Sequence, residues 1–174
     1  MNEKKVLLSM FLTVVLLYSC NKKESKSKPN SDPVIDLFKK NLIETKIGGS
    51  NLYISLPTNY KIEENLGPDF KVYHFKHIDT NSVQNLSGGF YLGYHPSEFA
   101  PDNDDCKTEF SESEVFNKQR KWRIYDCNGE FSMQSIIINE SNEIWNEKIH
   151  AFGNATTKND LDKLMKIYST LNKK

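Results

Sequence analysis

Charge of one sign is the first thing this sequence lacks: 23 Lys and Arg stand against 23 Asp and Glu in 174 residues. Without a basic excess nothing draws the chain to a phosphate backbone, so nucleic acid is not an expected partner. Motifs that carry catalysis are missing too. No Gly-x-Ser-x-Gly, His-Glu-x-x-His or phosphate-loop segment occurs. Gly88-Gly89 leads into the strand-like run Phe90–Tyr94, whereas a phosphate loop opens a helix. Ser25 and Lys28 have the spacing of a Ser-Lys pair but lie in a polar stretch that no pocket can preorganise. Of the four histidines, His74 and His77 fall on opposite faces of a strand, His95 precedes Pro96 in a loop and His150 sits in a late strand. Zinc needs three or four convergent ligands, and this spacing supplies none. The acidic run Asp102-Asn103-Asp104-Asp105 invites calcium, but position six of an EF-hand loop would be Lys107, not Gly. It is read as a solvated turn, with a contact surface for a basic partner as the alternative. No metal, no cofactor and no catalytic residue is expected, and the domain is read as non-enzymatic.

Long apolar runs are also scarce. One stands out, Val6 to Cys20, preceded by Lys4 and Lys5. The apolar run is about 14 residues long before Cys20, short of the 20 or so needed to span a bilayer, and polar Asn21-Lys22-Lys23-Glu24 follows at once. A basic start, a short apolar stretch and a small residue at the cut describe a secretory signal. Leu17-Tyr18-Ser19-Cys20 resembles the lipobox of bacterial lipoproteins, with Tyr18 bulkier than usual at the second place. The resemblance implies that residues 1–19 are removed and that Cys20 carries a diacylglyceryl group and an acylated amine, which would hold the chain stably to a membrane. In that family an Asp after the cysteine marks inner-membrane retention. Asn21 stands here, which implies outer-membrane delivery. Lys22 and Lys23, in place of an acidic cluster, imply the periplasmic face.

Cysteine is the third scarce resource, with three in all. If Cys20 carries lipid, Cys106 and Cys127 remain as a pair, and in an oxidising compartment an even remainder suggests a disulfide. The alternative is two separate thiols.

What is present is aromatic: ten Phe, eight Tyr and two Trp, which favours a β-rich core. Residues 20–31 are polar and Lys/Ser-rich, hence a flexible tether. Residues 32–174 are long enough for one domain with its own core. Asp32-Pro33 can start a helix of about 14 residues with an apolar stripe through Val34, Leu37, Phe38 and Leu42, to which Ile35 and Ile47 can add, ended by Gly48-Gly49. Strands are expected at Asn51–Pro57, Tyr60–Glu63, Phe70–Ile78, Phe90–Tyr94 and Glu143–Phe152, with polar loops at 79–89 and 95–119. Lys121–Cys127, Asn128-Gly129 and Glu130–Asn139 predict a hairpin with a type I′ turn. A two-residue turn sets Cys127 opposite Glu130, Asp126 opposite Phe131 and Ile124 opposite Met133, so Trp122, Ile124, Phe131, Met133 and Ile137 share a core face. A final helix is capped by Asn159, with Leu161, Leu164, Met165, Tyr168 and Leu171 on one side. The expected fold class is α+β, an antiparallel sheet of about six strands flanked by an N-terminal and a C-terminal amphipathic helix.

Leu52-Tyr53-Ile54-Ser55-Leu56-Pro57-Thr58-Asn59-Tyr60, with the Leu161–Leu171 helix, resembles the opening and close of Mog1/PsbP-like αβα sandwich domains. The resemblance implies binding more than catalysis and carries over no functional residue. The function expected is a lipid-anchored envelope protein that binds a protein partner, of immunity type or as an accessory subunit. The competing expectation is a small-ligand carrier or envelope enzyme with a pocket built by the two polar loops.

Overall fold

A computed structural model describes residues 33–79, 81, 83–101, 105–138 and 148–174, all within the unit Ser31–Lys174. The expected signal peptide, the tether and Cys20 lie outside the described residues, as do Asp102 to Asp104 and the first half of the expected Glu143–Phe152 strand.

The chain opens with helix α1, Pro33–Lys40, and turns at once into strand β1, Leu42–Lys46. The expected 14-residue helix is therefore half helix and half strand. Ile43 and Thr45 are β-branched and favour extended backbone. They pair with β2, Leu52–Pro57, from Leu42 opposite Pro57 to Lys46 opposite Tyr53. Gly48, at φ 52°, turns that hairpin instead of ending a helix. Of the expected stripe, Ile35 and Ile47 are buried and Phe38 and Leu42 pack on the core, whereas Leu37 points to solvent.

The strands β3 Tyr60–Leu66, β4 Lys71–His77, β5 Leu86–Gly93, β6 Lys107–Val115, β7 Lys118–Cys127, β8 Glu130–Ile138 and β9 Lys148–Ala155 follow. Helix α2, Lys158–Tyr168, and a two-residue strand β10, Asn172–Lys173, close the chain. There are two sheets, a three-stranded one ordered β1-β2-β10 and a seven-stranded one ordered β3-β4-β5-β9-β8-β7-β6. Every pairing is antiparallel.

The α+β expectation, one sheet of about six strands flanked by terminal amphipathic helices, is thus corrected. The described fold is mostly β, with ten strands in two sheets and two helices of 8 and 11 residues. The strands that escaped the sequence explain the error. β6 is an edge strand, largely exposed, so burial places no apolar alternation on it. Its turn into β7 is Phe116-Asn117, both at positive φ (53° and 56°), a type I′ geometry without the usual glycine. The Phe116 ring packs on the core and offsets that backbone cost. The second hairpin has the expected Asn128-Gly129 turn, both residues at positive φ, and the expected register, with Cys127 opposite Glu130 and Ile124 opposite Met133.

The core joins Ile54 and Leu56 of β2 to one face of the large sheet and to α2. Trp122, Ile124, Met133 and Ile137 are almost wholly buried there, each worth about 1.5–3 kcal/mol against exposure. α2 presents Leu161, Leu164, Ile167 and Tyr168 to it. Its cap is Thr157, not Asn159: the Thr157 hydroxyl accepts the Asp160 N–H at 3.1 Å and donates to the Asp160 carboxylate at 2.6 Å. The helix ends at Tyr168, and Lys173 lies in β10. Close approach is possible because β5 and β9 carry glycines. A Cβ on Gly88 would stand 2.6 Å from the Tyr168 hydroxyl, and one on Gly153 would stand 2.6 Å from Leu164. The Tyr168 hydroxyl accepts the Gly89 N–H at 3.0 Å and turns its own hydrogen to the carbonyls of Gly89 and Phe152. It thereby stitches helix to sheet, and full burial pushes this phenol far above its ordinary pKa.

Candidate binding face

The opposite face of the seven-stranded sheet is where polar chemistry collects. Alternation along each strand puts Arg123 and Tyr125 of β7 on it, with Ser132 and Gln134 of β8 and His150, Phe152 and Asn154 of β9. Pairing aligns them in rows. Gly89, Phe152, Gln134, Arg123 and Phe110 form one; Ser87, Asn154, Ser132, Tyr125 and Thr108 form the next.

Gln134 is fully buried there although it faces away from the core. A strap, residues 94–101, covers it. The Phe99 N–H donates to Gln134 Oε1 at 3.0 Å, and Gln134 Nε2 donates to the Phe99 carbonyl at 2.5 Å. One amide side chain thus does for the strap what a neighbouring strand would do. The Tyr125 hydroxyl donates to the same carbonyl at 3.0 Å. Arg123 pairs with Glu98 on the strap. Beyond the strap, Cys106 and Cys127 lie at disulfide distance, which ties this segment to the β7–β8 turn.

His150 is buried against Gln134 and Phe99. Its Nε2 lies 3.0 Å from Gln134 Oε1. An amide oxygen only accepts, so Nε2 is the donating nitrogen of the ring. Burial holds His150 below its ordinary pKa, while the Glu98 charge pulls the other way.

Rings run across this face. His150 meets Phe152 at 5.6 Å, Phe152 meets His74 at 5.8 Å, and Phe99 meets Tyr125 at 6.2 Å. Phe70 stacks on Tyr91 at 5.5 Å. At the β6 edge Phe110 is 55% exposed, with Lys121 Nζ 3.9 Å from its ring centre. A groove of about 310 Å³ opens where β5, β9 and β8 end beside Cys127.

The histidines considered from sequence are scattered. His74 lies on the outer face, whereas His77 bonds to Asn59 at 2.6 Å and to the Asp79 carbonyl at 2.9 Å. His95 is exposed. Among the described residues no three His, Cys, Asp or Glu side chains converge as metal ligands. Of the acidic loop only Asp105 is described, and it is exposed. The two loops expected to build a pocket do not do so together: 107–115 is strand, and the groove is lined by Gln84, Asn85 and the ends of β8 and β9. Sequence reasoning missed Phe99, Gln134 and Tyr125. A lone Gln at an outward strand position reads as solvated, and nothing local announces that a loop from 35 residues away covers it.

Among the described residues no helix is long and apolar enough to cross a membrane. Comparison of the chain with protein-family models, with curated proteins and with solved structures finds no match. The face is therefore interpreted from its own chemistry.

Proposed function

We propose that this chain is a lipid-anchored cell-envelope protein whose β-rich domain binds another protein through the outer face of the seven-stranded sheet. The anchor rests on Leu17-Tyr18-Ser19-Cys20, with delivery to the outer membrane and its periplasmic side as the destination. The observation that carries the binding role is the ring-lined strip from Phe110 through Phe99 to Phe70. Each of these three is at least a third exposed, Phe110 on the edge strand β6, Phe99 on the strap and Phe70 just before β4. Aromatic and arginine side chains concentrate at interface centres because they bury much area at little entropic cost. Arg123, fixed by Glu98, stands beside Phe110. A partner surface with an apolar centre and a polar rim fits this strip, as an inhibited toxin or a larger envelope assembly would provide. No cofactor takes part in this reading.

Two measurements test it. Cys20→Ser is expected to release the protein from membranes into the soluble fraction, and retention would refute the anchor. Cross-linked, affinity-purified lipidated protein is expected to bring down one stoichiometric partner that Phe110→Ser loses. Recovery of no such partner by the unaltered protein overturns the binding role.

A further inference from the structure

We propose that the groove at the β5–β9–β8 end is a binding site for a neutral saccharide, independent of the protein-binding strip. Ser87, Asn154 and Ser132 sit in register on three adjacent strands. Neighbouring strands are about 4.8 Å apart, so hydroxyl, amide and hydroxyl repeat at that interval on a rigid support. This resembles the spacing of alternate hydroxyls around a sugar ring. None of the three side chains hydrogen-bonds to another described residue, so their donors and acceptors remain available to a ligand. Asn85 and Thr156 also line the groove, the Thr156 hydroxyl donating to the Asn85 carbonyl at 3.3 Å, and Phe131 and Ala155 border it.

The chemistry of the lining selects among ligand classes. Hydroxyl and amide groups both give and accept hydrogen bonds, as sugar hydroxyls do. An apolar ligand would strand them unpaired, at a cost in affinity. An anion would need a cationic fork, and the one ionisable group in the lining is the Glu130 carboxylate, which repels it. The nearby cation, Lys158, lies 5.8 Å from the centre of the Phe131 ring. The volume of about 310 Å³ suits one or two sugar rings.

Titration of the full chain in a non-glycosidic detergent, followed by amide chemical shifts, tests this. The probes are glucose, N-acetylglucosamine, their β1,4-linked disaccharides and inorganic phosphate. At least one sugar is expected to move the Ser87, Ser132 and Asn154 amides with about millimolar affinity. Asn154→Ala and Ser132→Ala, each with an unchanged fold by spectral dispersion, are expected to weaken it about tenfold, as loss of one or two hydrogen bonds would. Lys39→Ala, on α1, is expected to leave it unaltered. The proposal is overturned if no sugar moves these amides, if phosphate moves them more strongly, or if both groove variants bind as the parent does.

Discussion

On the inner face of the seven-stranded sheet Trp122, Ile124, Met133 and Ile137 are buried with almost no polar partner among them. One residue along the same strands, Arg123, Tyr125, Gln134 and His150 occupy the outer face, and three of these four are buried too. The two burials differ in kind. Inside, helix and small sheet close over carbon, and shape decides the fit. Outside, a single strap closes over nitrogen and oxygen, so every group beneath it must be satisfied by name. The Phe99 backbone, the Gln134 amide, the Tyr125 hydroxyl and the His150 ring form one connected set. The inner face consequently holds stability, while the outer face holds position.

The largest expected effect of breaking this contrast lies inside. Trp122 Nε1 donates to the Ser113 hydroxyl at 2.7 Å, and its ring lies 5.0 Å from that of Tyr168. Trp122→Ala is expected to cost about 3–5 kcal/mol in urea unfolding. A loss under 1 kcal/mol or so would mean that the core collapses around the gap.

The outer face is expected to show its difference as pH dependence. His150 is held below its ordinary 6.5 by burial, so the unfolded chain takes up the proton first. The stability linked to the neutral ring is fully present above about pH 6.5 and is lost as pH falls from there through the folded-state value. Glu98 is the charge facing the ring from the strap. Urea midpoints of the parent are expected to drop between about pH 7.5 and pH 5.5. His150→Gln is expected to flatten that drop. Equal slopes would place the sensitivity elsewhere.

Smallest in stability is Phe110→Ser at the exposed edge, within about 0.5 kcal/mol of the parent. If the strip is an interface, this near-neutral change removes the partner while Trp122→Ala acts only through folding. Such a pairing of outcomes separates the two faces cleanly.

Legibility in the sequence followed the range of the forces. The β7–β8 register was readable because Asn128-Gly129 admits one turn and the period of two does the rest. The body of α2 was readable from Leu161, Leu164 and Tyr168, although its cap, Thr157, lay two residues earlier than expected. β1 was not, since Leu42-Ile43 continues a helical stripe as easily as it begins a strand. β6 was not, since an edge strand carries no buried alternation. The face beneath the strap was not, because Gln134 and Phe99 meet only after the sheet has formed.

By itself, then, the sequence determined the local chemistry: a hairpin turned by Asn-Gly and a helix set by its apolar spacing. Tertiary structure decided the insertion of β9 between β5 and β8, the glycine-lined seat for Tyr168, and the alignment of Ser87, Asn154 and Ser132. The reason is distance along the chain. Turns and helices are fixed by neighbours a few residues apart, whereas these arrangements join residues about 10 to 80 apart, and only the closing of the sheet against its helix brings them together.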